Sequence, residues 1–293
     1  MARLSRALAK NDNCKLSALR TTSGKLTSSS KEVGKLLLTV HFPGCHIIDN
    51  EMDSPASTNM PLVNPNWDLA DRLITREVLH WSIFSFAPFK SGGPDGVFPA
   101  ELQYGFPFIK DHLLYLFQAC IAFSVVAQSW NRNMVVFILK AGKTDYTDPK
   151  AFRPISLSST LLKALERIVD RYIRDQYLSI IPLSNMQHAY RVGKSCETAL
   201  HELVVRIERA LNNKEFLLAT FMDISGAFDS TSFDSIINAC FKFGIDHSIV
   251  KWIEYMLKSR HVQFEFNGQL TSVSVAKKSS RRNSVSSLVA HGN

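Results

Sequence analysis

The chain has 293 residues, 45% of them apolar, enough to bury a sizeable core spread over about two domains. Lysine and arginine outnumber aspartate and glutamate by 34 to 26, and the formal charge of +8 favours a polyanionic partner such as nucleic acid, though a merely basic soluble protein fits the charge equally well. The five cysteines are odd in number and far apart, which argues against a disulfide framework or a zinc knuckle and for a reducing compartment, nuclear or cytoplasmic rather than secretory.

Residues 1–40 are basic and rich in serine and threonine, a composition shared with organelle transit peptides, but no sustained amphipathic pattern accompanies it. Up to residue 62 the chain lacks a strong period and reads as a linker or extended arm. A helical pattern runs from about Asp68 to Phe86, and "KSGGPDGVFP" interrupts it with the glycines and prolines of tight turns. A long helix follows from about Phe108 to Trp130. Its apolar part, Leu113 to Val126, is broken by Gln118 and Ser124 and is shorter than the ~20 residues of a membrane span, so it reads as a buried helix.

"MVVFILK", residues 134–140, is a short apolar run rich in β-branched residues and is expected to be a buried strand. It delivers Lys140 at its end, with Lys143 just beyond. Leu161, Leu165, Ile168 and Tyr172 then recur at helical spacing, with charges on the other face. A second amphipathic helix, about Ser195 to Leu211, carries Leu200, Leu203, Val204, Ile207 and Leu211 on one side. Residues 217–223 read as a strand ending on Asp223. Two helices follow, near 231–243 and 248–258, with Gly244 placed to end the first. "HVQFEFNGQLTSVSV" alternates Val262, Phe264 and Phe266 and turns at Asn267-Gly268, a hairpin signal. Beyond it lies a basic, serine-rich tail with the composition of disorder. The mixture makes the expected class α+β, helix-rich.

Three places could carry chemistry. Asp223 stands at the tip of an apolar run, followed by the small Ser225, Gly226 and Ala227, a rigid way to hold a divalent cation. Taken alone, an aspartate after a strand is more often a helix cap or turn residue, and Asp229 and Asp234 read as first-turn acids of the next helix. "RVGKSCETAL" puts Gly193, Lys194 and Ser195 before a helix, but the glycine that a phosphate loop needs five positions earlier is His188. The helix N-terminus can still receive a backbone phosphate, with Lys194 adding charge. His188 and His201 have no acidic or cysteine partner at metal-ligand spacing and read as capping or packing residues. Lys140, Lys143, Lys150 and Arg153 fall in one loop with Tyr146 and Phe152 between them, a set suited to a polyphosphate or a single strand.

The segments "GGPDGVFPAELQYG", "ILKAGKTDYTDPKAFRPISLSSTLLKALERIVDRYI", "QHAYRVGKSCETALHELVVRIERAL" and "FMDISGAFDSTSFDSI" occur in that order, and together they closely resemble the reverse transcriptase (RNA-directed DNA polymerase) of non-LTR retrotransposons of the jockey and LINE-like kind. The resemblance covers roughly residues 90–268 and, through "SGKLTSSSKEVGKLLLTVHFPG", extends toward the first residues. It implies a right-hand polymerase with a linker or arm over 1–62, helical fingers over 63–215, a partial palm over 216–270 and a disordered tail over 271–293. On the family's pattern Asp223 would be the catalytic aspartate and ligate both Mg2+ ions, with the carbonyl of Ile224 beside it. Phe228 would sit under the sugar of the incoming nucleotide, and Lys140 and Arg153 would hold its triphosphate. Lys143, Gln187, Gly193 and Lys194 would contact nucleic acid, the last three lying along RNA template and DNA primer.

Two local departures, Leu139 for the usual proline and Cys196 for the common threonine, look tolerable. After Asn267-Gly268 the family continues into a glycine-rich block, a strand pair bearing Asp-Asp, and a thumb. This sequence turns instead into the serine-rich tail, and no Asp-Asp pair occurs in its 293 residues. The expectation is therefore a truncated polymerase, inactive alone, or a nucleic-acid-binding remnant without chemistry.

Overall fold

The computed structural model describes residues 18–42, 44–48, 64–223 and 231–274. The first of these segments corrects the reading of an extended arm. Ser29 accepts the Glu32 N–H and the Glu32 carboxylate takes the Ser28 N–H at 2.7 Å, which starts helix α1, Ser30–His41. Val33, Leu37, Leu38 and His41 form its buried stripe. The packing is close: a Cβ on Gly34 would lie 2.7 Å from the Thr271 hydroxyl. A short strand β1, His46–Ile48, follows.

The expected helix over 68–86 is two helices, α2 Trp67–Leu73 and α3 Arg76–Phe84. Thr75 separates them because its hydroxyl accepts the Val78 N–H and caps the second. Helix α4, Pro99–Ala122, begins earlier than its periodicity suggested, with Pro99 at its first position and Glu101 accepting the Phe98 N–H at 2.9 Å. It also ends earlier, at Ser124. There φ is 54°, and Ser124 N–H bonds Ile121 O while Val125 N–H bonds Cys120 O, a left-handed cap of the kind glycine usually provides. Gly244 ends its helix in the same way, its N–H bonding Phe241 O while the Ile245 N–H bonds Cys240 O.

Strands β2 Arg132–Leu139 and β3 Phe152–Leu157 pair antiparallel and lead into α5, Thr160–Gln176. Helix α6 is Cys196–Asn212, α7 Phe233–Lys242 and α8 His247–Lys258. The last hairpin, β4 His261–Phe266 and β5 Gln269–Ser274, turns where Asn267 and Gly268 have φ of 49° and 74°, as its sequence required. Strand β5 runs on through Ser274, so the tail expected to be disordered from 271 is paired over 271–274, and 275–293 lie outside the described residues. The sheet order is β1-β5-β4-β2-β3, with β4 parallel to β2. One face, carrying Phe137 and Phe264 edge to face at 4.8 Å, packs toward α1. Helices α3, α4, α5, α7 and α8 enclose Phe117, Leu165, Ile168 and Trp252. Glu166 and Arg260 form a buried ion pair at 2.9 Å linking α5 to the start of β4. No described helix is long and apolar enough to cross a membrane.

Candidate functional site

The β2–β3 pair places the first group of candidates. Asn133, Val135 and Phe137 point into the core, so the alternate residues, ending in Ile138 and Lys140, lie on the opposite face. Ile138 pairs with Arg153, and the Lys140 N–H extends the ladder to Ala151 O at 2.8 Å, so Lys140 and Arg153 share that face. Lys143, Lys150 and Arg153 are exposed, and the Lys140 ammonium donates to the Lys150 carbonyl at 2.5 Å. The connecting loop is built from aspartate turns. Asp145 accepts from both the N–H and the hydroxyl of Thr147, and Asp148 accepts the Lys150 N–H. The Thr147 hydroxyl, followed by the Thr147 N–H, holds the Asp145 carboxyl below its usual range.

The loop is braced from a region that composition alone did not connect to it. Arg20 donates its N–H to Thr147 O at 2.8 Å and its guanidinium lies 3.7 Å from Asp145. His41 at the end of α1 meets Pro149 O at 2.9 Å. Between these contacts is a cavity of about 330 Å³ lined by Arg20, Leu36, Val40, Asp145 and Lys150. The four cations expected to fall together are thus brought together, on a hairpin whose conformation is held from two sides.

The second group lies on the segment between α5 and α6. Gln187 turns its amide onto Ala189 O at 3.2 Å, and Gly193 takes φ of 75°. Ser195 and Thr198 cap α6 reciprocally, each hydroxyl accepting the other's N–H, so two of the donors that a phosphate could have met are already occupied. His188 does have an acidic partner. Its Nε2 lies 3.0 Å from Glu202 and its Nδ1 2.8 Å from the Thr198 hydroxyl. Helix geometry places Thr198 and Glu202 on one face, a proximity that spacing along the chain from His188 could not reveal. Arg206, then His188, lowers the Glu202 pKa. Arg174 of α5 fixes the same segment by donating to Tyr190 O at 2.8 Å, where Tyr190 is held at φ of 60°.

The third group departs from expectation. Residues 215–223 form no strand: they carry no regular secondary structure, and none of the five strands pairs with them. Leu218 and Met222 are 92% and 91% exposed, and Asp223 is exposed beside them. The run has strand composition, but a strand is made by a neighbour that takes its N–H and C=O groups, and none of the described segments does so. Ile224, Phe228 and Asp229 lie outside the described residues. A two-metal centre holds ions about 3.5–4 Å apart between several ligands. Among the described residues no group of three or more histidine, cysteine, aspartate or glutamate side chains is gathered that could hold a metal, so Asp223 alone does not fit one.

Residues 138–280 match the family model described as reverse transcriptase (RNA-dependent DNA polymerase). The chain is 28% identical over 178 residues to the "Probable RNA-directed DNA polymerase from transposon BS" of Drosophila melanogaster, covering 59% of this chain and 20% of that protein. It is 30% identical over 148 residues to the "Retrovirus-related Pol polyprotein from type-1 retrotransposable element R1" of Bradysia coprophila, covering 50% of this chain and 14% of the relative. To the "RNA-directed DNA polymerase from mobile element jockey" of Drosophila melanogaster it is 24% identical over 185 residues, 63% of this chain and 19% of the relative. The chain therefore spans 20% or less of the length of each of these relatives. The family match encloses Lys140, Arg153, Gln187, Lys194 and Asp223.

Proposed function

We propose, from the premise that residues 138–280 are reverse-transcriptase sequence of the jockey-like, non-LTR kind, that this chain supplies the nucleotide- and template-facing part of an RNA-directed DNA polymerase. In this reading residues 63–215 correspond to fingers and 216–270 to part of a palm. Lys140 and Arg153 receive the triphosphate of a deoxynucleotide, and Lys143, Gln187, Gly193 and Lys194 contact RNA template and DNA primer. The observation that carries it is the shared face of Lys140 and Arg153 on a braced hairpin, with Lys143 and Lys150 exposed at its turn. Four cations on one hairpin outnumber the two aspartates of its turn, Asp145 and Asp148, and suit a polyphosphate better than a neutral ligand.

Catalysis by the family needs divalent metal, and Asp223 with the carbonyl of Ile224 would be this chain's contribution to holding Mg2+, with Phe228 beneath the sugar. The exposed, unpaired setting of residues 215–223 supports a second reading, in which the chain on its own binds nucleic acid and nucleotide but does not polymerise. Primer extension on an RNA template, with Mg2+ and the purified chain, separates the two. The expected result is no extension, with Asp223→Ala indistinguishable from the parent; template-dependent synthesis abolished by that substitution would overturn the second reading. Triphosphate binding should fall when Lys140→Ala is combined with Arg153→Ala, and unchanged affinity would remove the hairpin from the site.

A further inference from the structure

A surface remote in sequence from the hairpin carries a second arrangement of cations and rings. Helix α5 presents Arg167 and Arg171 one turn apart, and each guanidinium lies over an aromatic ring: Arg167 over Phe86 at 3.8 Å and Arg171 over Trp81 at 4.6 Å. Arg167 also donates to the Ser85 hydroxyl. Both rings belong to α3 and the turn that follows it, so the two arginines are held in place by a different element from their own. Trp81 remains 39% exposed and Phe84 44%, with His80 stacked on Phe84 at 4.2 Å.

The charges on this face do not balance. Glu166 is engaged by Arg260, Asp170 by Arg174 at 2.8 Å, and Asp175 lies 3.5 Å from Arg171. Arg167 is left without a carboxylate among the described residues, although it is half-buried and burial draws its pKa down. A cation desolvated and oriented without an anion is costly unless an anion arrives from outside. A guanidinium stacked on a ring keeps its N–H fork available in the ring plane, where a phosphate can take two bonds, while exposed indole and guanidinium faces accept a base.

The geometry points to this face as a binding surface for single-stranded nucleic acid, with Arg167 and Arg171 taking consecutive phosphates and Trp81 stacking on a base. The inference rests on the nucleic-acid reading above and adds to it a surface outside the family's nucleotide-binding hairpin. The exposed part of Trp81 lies beside the Arg171 guanidinium, with Arg167 one turn away, and that pairing of ring and positive charge favours a polyanion over an apolar protein surface.

The test uses the full chain and fluorescein-labelled oligothymidylate and oligouridylate of about 20 nucleotides, a length that spans typical single-strand sites. Anisotropy titrations at several salt concentrations give affinity and salt slope. Arg167→Gln with Arg171→Gln is expected to weaken binding about tenfold or more and to flatten the salt slope by about one to two contacts. Oligonucleotide should quench tryptophan fluorescence in the parent, and Trp81→Phe should remove most of that quenching while retaining much of the affinity. Similar results with both oligomers assign the surface to single strands in general, and a preference for one names the strand it takes. Should the double substitution unfold the protein, Arg167→Lys, which keeps charge but not the planar fork, is expected to show the weaker affinity with the slope preserved. If the parent binds and neither arginine variant nor the quenching changes, this surface is excluded while the nucleic-acid reading stands. If the parent binds no oligonucleotide, both fail.

Discussion

Helices α5 and α6 have the same length, 17 residues, and similarly amphipathic sequences, yet they end in opposite circumstances. Helix α5 buries Leu162, Leu165, Ile168, Val169 and Ile173 against α3 and the central core, and adds a buried ion pair through Glu166. Helix α6 buries Ala210 alone, leaving Leu200 at 61% and Leu211 at 67% exposure, and leads into the exposed run 215–223. An apolar stripe and good caps make a helix, but burial needs a surface to receive the stripe, and each leucine so received contributes about 1.5–3 kcal/mol. Among the described residues the two helices differ in that second requirement.

The sharpest way to test the contrast is at the buried pair. Arg260→Met removes the cation hydrogen-bonded to buried Glu166 and should cost about 3–5 kcal/mol in urea unfolding at neutral pH. Burial already pushes the Glu166 carboxyl up, with Arg260 opposing it. Without Arg260 the folded pKa rises further, so the folded state binds the proton more tightly than the unfolded one. Stability of the variant is then greatest below the unfolded pKa and falls as pH rises through the folded value, and a deficit as large at pH 4.5 as at pH 8 would refute the account. Next in size, Leu165→Ala should cost about 2–5 kcal/mol while Leu200→Ala stays within about 0.5 kcal/mol. Equal losses would mean that α6 is packed after all. Replacing Phe216 and Phe221 with serine should leave the unfolding midpoint unchanged but reduce dye binding and self-association, since both rings are exposed in the folded chain. The smallest effect is expected at Lys214, which ends α6 at φ of 56°: Lys214→Gly should slow amide exchange in the last turn, a gain of up to about 1 kcal/mol local to that helix.

What the sequence made legible follows the same division. Helix α5, the Asn267-Gly268 hairpin and the cap at Gly244 each depend on residues within a few positions, and each formed as read. Thr75 was an available cap signal inside a pattern taken as continuous, and Ser124 ended α4 in a conformation its side chain does not advertise. Helix α1 was missed because its buried stripe is short and its partner, β5, lies over two hundred residues away in the chain. The run before Asp223 was misread for the converse reason: its composition was that of a strand, but pairing is a property of two segments. At the hairpin, the grouping of Lys140 with Arg153 could be read from the chain, whereas the bracing by Arg20 and His41 needed the fold.

The pairing of β1 with β5, and of β4 beside β2, also sets an order of events during synthesis. When α1 leaves the ribosome, the hairpin it will cover has not been translated, and Ser30 has no Asn267 to meet. The early helix must wait, its leucines shielded by whatever else is at hand, until the closing strands emerge. A protein so wired should fold slowly and depend on chaperones in proportion to that delay.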